Sequence, residues 1–351
     1  MISEILLKLI ENRNLTTDET KNVMTSIMSG KLTSVQIGAF LALLRKKGET
    51  IEEISACAKI MREVSHKITS KYDNLIDTCG TGGDIVKTLN VSTAVMFVVA
   101  GAGFSVAKHG NRSVTSTSGS ADVLEYLGFD LTQSPSKIES ILNDCGVTFM
   151  FAPIFHPSMK YAVAPRKELG IRTVFNILGP LTNPAGTKFQ VVGVYDENLT
   201  EVVAEVLLDL GTTHSLVVHG VGGFDEVSTF GRTKISEVCD KKIETYYVDP
   251  SDFGVQQRQK SEVECRLDAE KNAQILVSIL HNKKGPLYDL VLVNSAAALK
   301  ALKNIDFVEG VKVAAESIES GAAYKKLRSF MHLGAKSSAV LDDLEATLCI
   351  S

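Results

Sequence analysis

The segment LIDTCGTGGDIVKTLNVSTA, residues 75–94, decides the fold, because it passes from a strand-like run through a glycine-rich turn into an apolar helix. Glycines in such a turn let backbone amides approach phosphate oxygens, and the start of a helix adds free N–H groups and a favourable dipole. The segment therefore predicts a phosphate site that follows a strand, within an α/β domain.

The polar residues at the predicted helix start have two interpretations. Asn90, Ser92 and Thr93 carry short side chains that can either cap the helix or hold phosphate and a magnesium ion. For an isolated Asn-x-Ser-Thr run, cap preferences alone favour capping. The binding interpretation therefore depends on the neighbouring motifs.

Upstream of this segment, residues 1–66 predict four helices, because apolar positions recur at helical spacing. Gly48 supplies a C-terminal stop, and the change from a helical to an extended period places a domain boundary near residue 70. Three capping boxes mark helix starts: Thr16 with Glu19, Thr33 with Gln36, and Thr50 with Glu53.

Downstream, β-rich runs alternate with helical segments, a pattern that predicts a mainly parallel sheet. The expected fold class is α/β, with a small all-helical N-terminal domain plus a larger α/β domain that has a mainly parallel central sheet. Residues 163–186 are helical and turn-like and are expected to cross back to the helical domain, while the chain from Leu267 onward is mostly helical. The predicted strands include residues 104–107, 148–151, 190–194 and 215–219.

Composition and charge limit the classes of function. A formal net charge of -4 and a pI near 6.0 give no support for a nucleic-acid or anionic-membrane partner. The six cysteines lack paired spacing, which argues against a disulfide framework or a structural zinc site and favours a reducing cytoplasm. The longest apolar stretch, Ala94 to Ala107, falls short of the ~18 residues of a spanning helix, so we expect buried core there.

A second motif, KHGNRSVTSTSGSAD, occupies residues 108–122 after a predicted strand that ends at Ala107. Two cations, glycines and several hydroxyl groups suit a pyrophosphate site. The alternative is a solvated, mobile serine and threonine loop. The position after a strand, together with Lys108 and Arg112, favours the binding site.

Two further segments carry charged residues with a possible chemical role. Asp225 and Glu226 follow a strand and a glycine turn, where their oxygens suit magnesium, although such a pair taken alone is more often an exposed turn. Arg166, Lys167 and Arg172 fall on a stretch with a helical pattern, and a guanidinium suits the carboxylate of an aromatic acid. The alternative for these cations is a solvated helix face, and His156 can equally be an ordinary turn histidine.

Together these motifs resemble those of anthranilate phosphoribosyltransferases in order and spacing, over nearly the whole chain. The resemblance implies Mg2+-dependent transfer of the phosphoribosyl group of phosphoribosyl pyrophosphate (PRPP) to the amine of anthranilate, a step of tryptophan biosynthesis. Ile85 departs from the family, which often has glycine after the aspartate of this turn. The motifs are GTGGD (80–84), NVST (90–93), KHGNRS (108–113), SGSAD (118–122), NILGP (176–180) and Asp225-Glu226.

The resemblance also implies how the chain is divided and assembled. Residues 1–70, joined by the inserted segment of about 163–186, would form the helical domain, and residues 71–162 and 187–351 the α/β domain that binds PRPP. A homodimer through the helical domains is implied, with no nucleic-acid or membrane partner. The small-molecule partners are the two substrates, and the expected location is the cytoplasm.

The site residues implied by the resemblance fall into three groups, with no dedicated catalytic residue and electrostatic support from Lys108. The metal ligands are Ser92, Asp225 and Glu226, and the anthranilate group is Gly80, Asn111, Arg166, His109 and His156. The PRPP group is Gly80, Gly83, Asp84, Thr88, Asn90, Val91, Ser92, Thr93, Lys108, His109, Gly110, Asn111, Arg112, Ser113, Val114, Thr115, Ser116 and Ser120.

Two other functions compete with this one. A pyrimidine nucleoside phosphorylase-like enzyme shares the expected architecture, but its phosphate loop resembles Lys-x-Ser-Gly-Arg and not the KHGNR run of residues 108–112. A non-catalytic relative that binds nucleic acid would show a basic surplus and a degraded acidic pair, and neither is present.

Overall fold

The structure, a computed structural model, describes residues 2–83, 85–113 and 118–347. The predicted helical start is confirmed, with helices α1 (Ile2–Ile10), α2 (Thr17–Met28), α3 (Ser34–Lys47) and α4 (Ile51–Glu63). All three predicted capping boxes form, each with a threonine hydroxyl that accepts from the third helical N–H and a glutamate or glutamine that accepts from the threonine N–H. Helix α3 ends at Gly48, as predicted, with a positive φ of 88° that a glycine adopts without strain.

Seven strands of the described chain form one sheet, in the order β3-β2-β1-β4-β5-β6-β7. Strands β1 to β5 run parallel to one another, so the prediction of a mainly parallel sheet is confirmed. The last two strands are antiparallel and were not anticipated. The strands are β1 (Leu75–Asp77), β2 (Ser105–Gly110), β3 (Val147–Phe151), β4 (Phe189–Gly193), β5 (His214–Gly220), β6 (Thr233–Cys239) and β7 (Lys242–Val248).

One predicted strand boundary was wrong. Strand β2 does not end at Ala107 but continues to Gly110, because it pairs with β3 as far as the register Gly110 with Phe151. Lys108 and His109 are therefore buried strand residues and not loop residues. Hydrogen bonding to a neighbouring strand decided this boundary, and that pairing is not visible in the local sequence.

Helices cover both faces of the sheet. Helix α5 is apolar and buried along its length, which confirms the core predicted for the apolar stretch. It packs against α14 and α16, so the helical C-terminal part completes the core. The helices after β1 are α5 (Val91–Gly101), α6 (Ser120–Tyr126), α7 (Pro135–Cys145), α8 (Ala152–Phe155), α9 (Lys160–Leu169), α10 (Phe175–Leu178), α11 (Leu199–Asp209), α12 (Lys260–Val263), α13 (Ala269–Leu280), α14 (Pro286–Lys303), α15 (Phe307–Glu319), α16 (Ala322–Gly334) and α17 (Ala339–Thr347).

A second apolar cluster joins the N-terminal helices to the other face of the sheet. Helix α11 packs against α4 and against β5 and β6, with Val203, Val206 and Leu207 fully buried. Burial of each such side chain stabilises the fold by about 1.5–3 kcal/mol. Helix α9 packs against α3, where Leu169 lies beside Gly38. The segment that follows β3 therefore contacts the N-terminal helices.

None of the helices in the described part of the chain combines the length and the apolar character that crossing a membrane requires.

Candidate active site

A cavity of about 1240 Å³ lies at the carboxyl ends of the parallel strands. Strand β1 lies between β2 and β4, so the strand order reverses there, and crevices at such points are the usual ligand sites of open α/β sheets. The end of β2 with the residues after it (108–113) and two loops of the sheet (79–83 and 224–226) line one side. Residues of α9 and of the segment that follows it line the opposite side. The cavity therefore lies between the sheet and the segment that contacts the N-terminal helices.

The glycine-rich turn after β1 is held against the end of β4. The Thr81 N–H donates to the Gly193 carbonyl at 2.8 Å, and a Cβ on Gly80 would come within 3.3 Å of the Asp225 Oδ2. Gly83 has a positive φ of 82°, which favours glycine. The absence of a side chain at Gly80 thus lets an acidic loop approach the turn.

The acidic residues Asp225 and Glu226 lie on the loop that follows β5. Both are half-buried and line the cavity, so the alternative of an exposed turn is wrong. Gly193, at the end of β4, makes this position possible, since a Cβ there would lie 1.6 Å from the Asp225 carbonyl oxygen. Ile85 contacts the same loop, because its N–H donates to the Gly223 carbonyl at 2.9 Å. The backbone at Ile85 thus joins the glycine-rich turn to the acidic loop, through a bond that a glycine at this position would also make.

Asn90 is at the N-cap position of α5, but its side chain makes no capping hydrogen bond, so the favoured capping interpretation is wrong for this residue. Its Nδ2 donates instead to the Ser118 carbonyl at 3.3 Å, and its Oδ1 is buried without a hydrogen-bond partner in the described chain. Thr88, Val91 and Ser92 line the cavity beside it. Asn90 therefore joins two of the predicted binding segments.

Lys108 is 1% exposed and lines the cavity, and its ammonium donates to the Thr78 carbonyl at 3.3 Å. Its charged neighbour is the fully buried Asp77, which accepts from the His109 N–H at 3.1 Å and from Asn183 Nδ2 at 2.7 Å. Burial raises the pKa of Asp77 to about 6, while Lys108 opposes the rise. Through these hydrogen bonds, Asp77 at the end of β1 connects β2 to the segment before β4.

Arg112 lines the cavity, but its guanidinium is already paired. It donates to both oxygens of Glu125, at 2.6 and 2.8 Å, and to Asp122 at 3.0 Å. The other oxygen of Asp122 accepts from the N–H groups of Ser113 and Gly119. The positive charge of Arg112, which was expected to bind the substrate, is therefore largely compensated by carboxylates of the protein.

Two buried histidines line the cavity with their ring centroids 5.1 Å apart. Burial lowers the pKa of His109 to about 3 and that of His156 to about 4, so both rings are neutral near pH 7. His109 Nδ1 donates to the Gly179 carbonyl at 3.2 Å, which leaves its Nε2 as an acceptor. Neither Nε2 has a hydrogen-bond partner among the described residues.

The three cations of the opposite wall line the cavity; Arg166 is half-buried there, whereas Lys167 and Arg172 are exposed. Arg166 stacks 5.1 Å from the Phe175 ring centroid, and burial lowers its pKa. Arg172 is not helical, because α9 ends at the left-handed Gly170. Its guanidinium lies 3.8 Å from the Tyr195 ring centroid and donates to the Gly83 carbonyl at 2.7 Å. Arg172 therefore connects this wall to the glycine-rich turn.

Comparison with known proteins agrees with this geometry. Residues 3–65 match the model of a glycosyl transferase family, helical bundle domain, and residues 72–324 match the a/b domain of the same family. The anthranilate phosphoribosyltransferase of Acetivibrio thermocellus is 49% identical over 332 residues, which are 94% of this chain and 96% of that protein. The chain belongs to the anthranilate phosphoribosyltransferase family.

Solved structures of the anthranilate phosphoribosyltransferase family have the same fold. The Thermus thermophilus enzyme has a TM-score of 0.88 at 36% identity, covering 93% of this chain and 98% of its own. The Saccharomyces cerevisiae enzyme in complex with PRPP and Mg has a TM-score of 0.88 at 29% identity, and the match covers 95% of this chain and 97% of the yeast chain. These comparisons support the small helical domain and the larger α/β domain predicted from the sequence.

Most residues that the family resemblance singled out meet in this cavity. Thr93 is an exception, because it is fully buried and does not line the cavity. Four others, Asp84, Val114, Thr115 and Ser116, lie outside the described residues. Those that line the cavity are Gly80, Gly83, Thr88, Asn90, Val91, Ser92, Lys108, His109, Gly110, Asn111, Arg112, Ser113, Ser120, His156, Arg166, Asp225 and Glu226.

Sequence reasoning missed several residues of this site. Tyr195 and Arg266 line the cavity without belonging to any predicted group or motif. Asn176 was noted only as part of the NILGP motif, and Arg172 only as part of a charged run. Gly193 also escaped notice, although a glycine at the end of a predicted strand is a signal of close backbone approach. The location of Tyr195 just after β4 follows from the same rule that placed the glycine-rich turn.

Proposed function

We propose that this chain transfers the phosphoribosyl group of PRPP to the amine of anthranilate, giving N-(5-phosphoribosyl)anthranilate and pyrophosphate. The observation that carries the proposal is a single cavity with two chemically different walls. The wall formed by the sheet has glycine amides, hydroxyl groups and a buried lysine, which suit a phosphorylated sugar. The opposite wall has a partly desolvated guanidinium and two neutral histidines, which suit a small aromatic acid.

Magnesium fits the donors of the sheet wall. Ser92, Asp225 and Glu226 supply one hydroxyl and two carboxylates in the cavity, and the described residues contain no group of three histidine, cysteine or acidic side chains that could hold a metal by itself. Mg2+ prefers such partial sites, since it keeps waters and takes oxygen ligands from substrate phosphates. When bound, it would supply positive charge to the pyrophosphate oxygens.

Departure of the pyrophosphate is the step that the sheet wall supports. The C1–oxygen bond breaks with its electron pair on the pyrophosphate, as positive charge develops on the ribose ring. Lys108 and the amides of the glycine-rich turn are fixed before the reaction and stabilise the developing negative charge. Asp77 accepts from the His109 N–H and so holds the end of β2 in place, and its charge lies near that of Lys108.

Anthranilate binds against the opposite wall. Arg166 pairs with the carboxylate, and Asn111 contacts the ring substituents from the end of β2. The amine attacks C1 with its own lone pair, so no base is needed to generate the nucleophile. The Nε2 atoms of His109 and His156 are unpartnered acceptors in the described chain and orient the amine N–H bonds. The proton released after C1–N bond formation passes to solvent.

The division and assembly of the chain are part of the proposal. Residues 1–70 with about 163–186 form the helical domain, and 71–162 with 187–351 form the α/β domain; the packing of α9 against α3 supports this division. A homodimer through the helical domain is supported by exposed apolar side chains there, with Leu7 57%, Ile10 54% and Val35 81% exposed. A biosynthetic role and the scattered cysteines support a location in the cytoplasm.

The decisive assay follows the loss of anthranilate fluorescence with purified protein, PRPP and magnesium, with a chelator as control. The proposal predicts a decay that stops when the chelator is added. Absence of decay with folded protein would contradict it. The same preparation would then be tested for phosphorolysis of pyrimidine nucleosides, the runner-up activity.

A further inference from the structure

Five cations that line the cavity belong to none of the three predicted groups: Lys87, Lys160, Lys167, Arg172 and Arg266. Arg266 belongs to the short segment Cys265, Arg266 and Leu267, which lines the cavity just before α13. Two hydrogen bonds attach this region to the start of α5. The Cys265 N–H donates to the Lys87 carbonyl at 2.7 Å, and the Oδ1 of Asn272 accepts from the Asn90 N–H at 3.0 Å. Arg266 is thus attached to a fixed part of the wall.

The guanidinium of Arg266 differs from that of Arg112. Arg112 is held by Asp122 and Glu125, whereas Arg266 is exposed and has neither an ion pair nor a hydrogen bond to any residue in the described ranges. A phosphate monoester carries a charge of about −1.5 to −2 at pH 7. On this side of the cavity, Arg266 is therefore a cation whose charge is still available to a ligand.

Its position favours one end of the substrate. The acidic loop contacts Gly80 and Ile85, so the pyrophosphate end of PRPP belongs beside those residues. The chain around Arg266 contacts Lys87 through Cys265 and Asn90 through Asn272 of α13, and Asn90 in turn contacts the Ser118 carbonyl. Neither of these contacts is to the acidic loop, so the space between Arg266 and the Ser118–Ser120 turn is left for the other end of the substrate.

We infer that Arg266 is a binding residue for the 5-phosphate of the phosphoribosyl substrate. The assignment rests on the proposed function for the identity of that substrate. A guanidinium presents paired N–H donors that match two phosphate oxygens, which an ammonium does not. Arg266 acts on binding of the ribose phosphate, and the departing pyrophosphate does not depend on it.

The test is calorimetric titration with ribose 5-phosphate and, separately, with pyrophosphate in the presence of magnesium. R266Q should weaken binding of ribose 5-phosphate by about 10- to 100-fold, as expected for loss of hydrogen bonds to a charged group, and should leave pyrophosphate binding within about twofold. The affinity of R266K for ribose 5-phosphate should lie between those of wild type and R266Q. K271Q is the matched control, because Lys271 is an exposed cation in the first turn of the following helix, α13, and does not line the cavity.

Steady-state kinetics give a second measurement on the same variants. R266Q should raise the KM for PRPP with little change in kcat, since the phosphate contact is the same in the ground and transition states. Equal affinities of R266Q and wild type for ribose 5-phosphate would overturn the inference, as would a loss confined to pyrophosphate or no binding by the wild type at millimolar concentration. Binding that depends on Arg266 without turnover of anthranilate would instead contradict the proposed function alone.

Discussion

Gly193 offers a direct test of the acidic loop, because a single methyl group there would collide with the backbone that carries Asp225. In G193A the new Cβ would lie 1.6 Å from the Asp225 carbonyl oxygen, whereas real Cβ contacts are essentially never below 3.0 Å. The acidic loop or the end of β4 must therefore move by at least about 1.4 Å. Neither side moves freely.

Both sides of this contact are pinned. The Gly193 carbonyl accepts from the Thr81 N–H, so a shift of β4 would disturb the glycine-rich turn. On the other side, the Val227 N–H donates to Asn294 at 2.8 Å and limits the retreat of the loop. A misplacement of about 1 Å in a reacting site can cost about 10²-fold in rate. We therefore expect G193A to lower kcat by about 10²-fold, or ~2.7 kcal/mol, and to raise the magnesium concentration needed for half-maximal activity.

The assay is loss of anthranilate fluorescence across a magnesium titration, at a temperature where circular dichroism shows each protein to be folded. G38A is the control, since the added methyl group would meet only Leu169, at 3.9 Å. Alanine in place of a mid-helix glycine should stabilise α3 by about 0.5–1 kcal/mol and leave the kinetics unchanged. A folded G193A with kcat within twofold of wild type and the same magnesium midpoint would refute this account of the loop.

Four further predictions concern individual side chains of the cavity. D225N should lose most of its kcat and respond weakly to magnesium; an unchanged titration curve would rule out Asp225 as a ligand. R166A should raise the KM for anthranilate and leave the KM for PRPP nearly unaltered, which substrate titrations measure; equal effects on both would count against the carboxylate contact. R172A should raise the KM for PRPP, since the Gly83 carbonyl and the Tyr195 ring lose their partner; unaltered kinetics would show that the turn holds its own position. The pKa of His156 is lowered to about 4 in the folded protein, below its unfolded value near 6.5, so its contribution to stability is present above pH 6.5 and lost as the pH falls toward 4. Between pH 4 and 6.5, the free energy of unfolding measured with denaturant should therefore fall more steeply with decreasing pH in wild type than in H156Q, by up to about 1.4 kcal/mol per pH unit. Equal slopes in the two proteins would contradict a neutral buried ring.

The features predicted correctly depend on neighbours in sequence. The capping boxes at Thr16, Thr33 and Thr50 each need only a partner three residues away, so the sequence shows both members together. The same holds for the strand, glycine turn and helix of residues 75–94, whose order places the turn at the carboxyl edge of the sheet. The charged motifs could be assigned to one cavity because the carboxyl ends of parallel strands share an edge.

The errors and omissions depend on contacts between distant segments. Asn90 fits a capping motif locally, but its side chain meets Ser118, 28 residues away. The length of β2 depends on its pairing with β3. The charge of Arg112 is compensated because two carboxylates of α6 accept hydrogen bonds from it. In each case the local pattern permitted two outcomes, and a tertiary partner selected one.

The sequence by itself determined the fold class, the location of the glycine-rich and charged motifs and the family. Tertiary structure alone decided which charges face the cavity uncompensated and which backbones touch. Asp77 meets Asn183 across 106 residues, and Gly193 accommodates the Asp225 backbone from a different loop. The physical reason is that hydrogen bonds, desolvation and steric contact act over a few ångströms in space, whatever the separation along the chain.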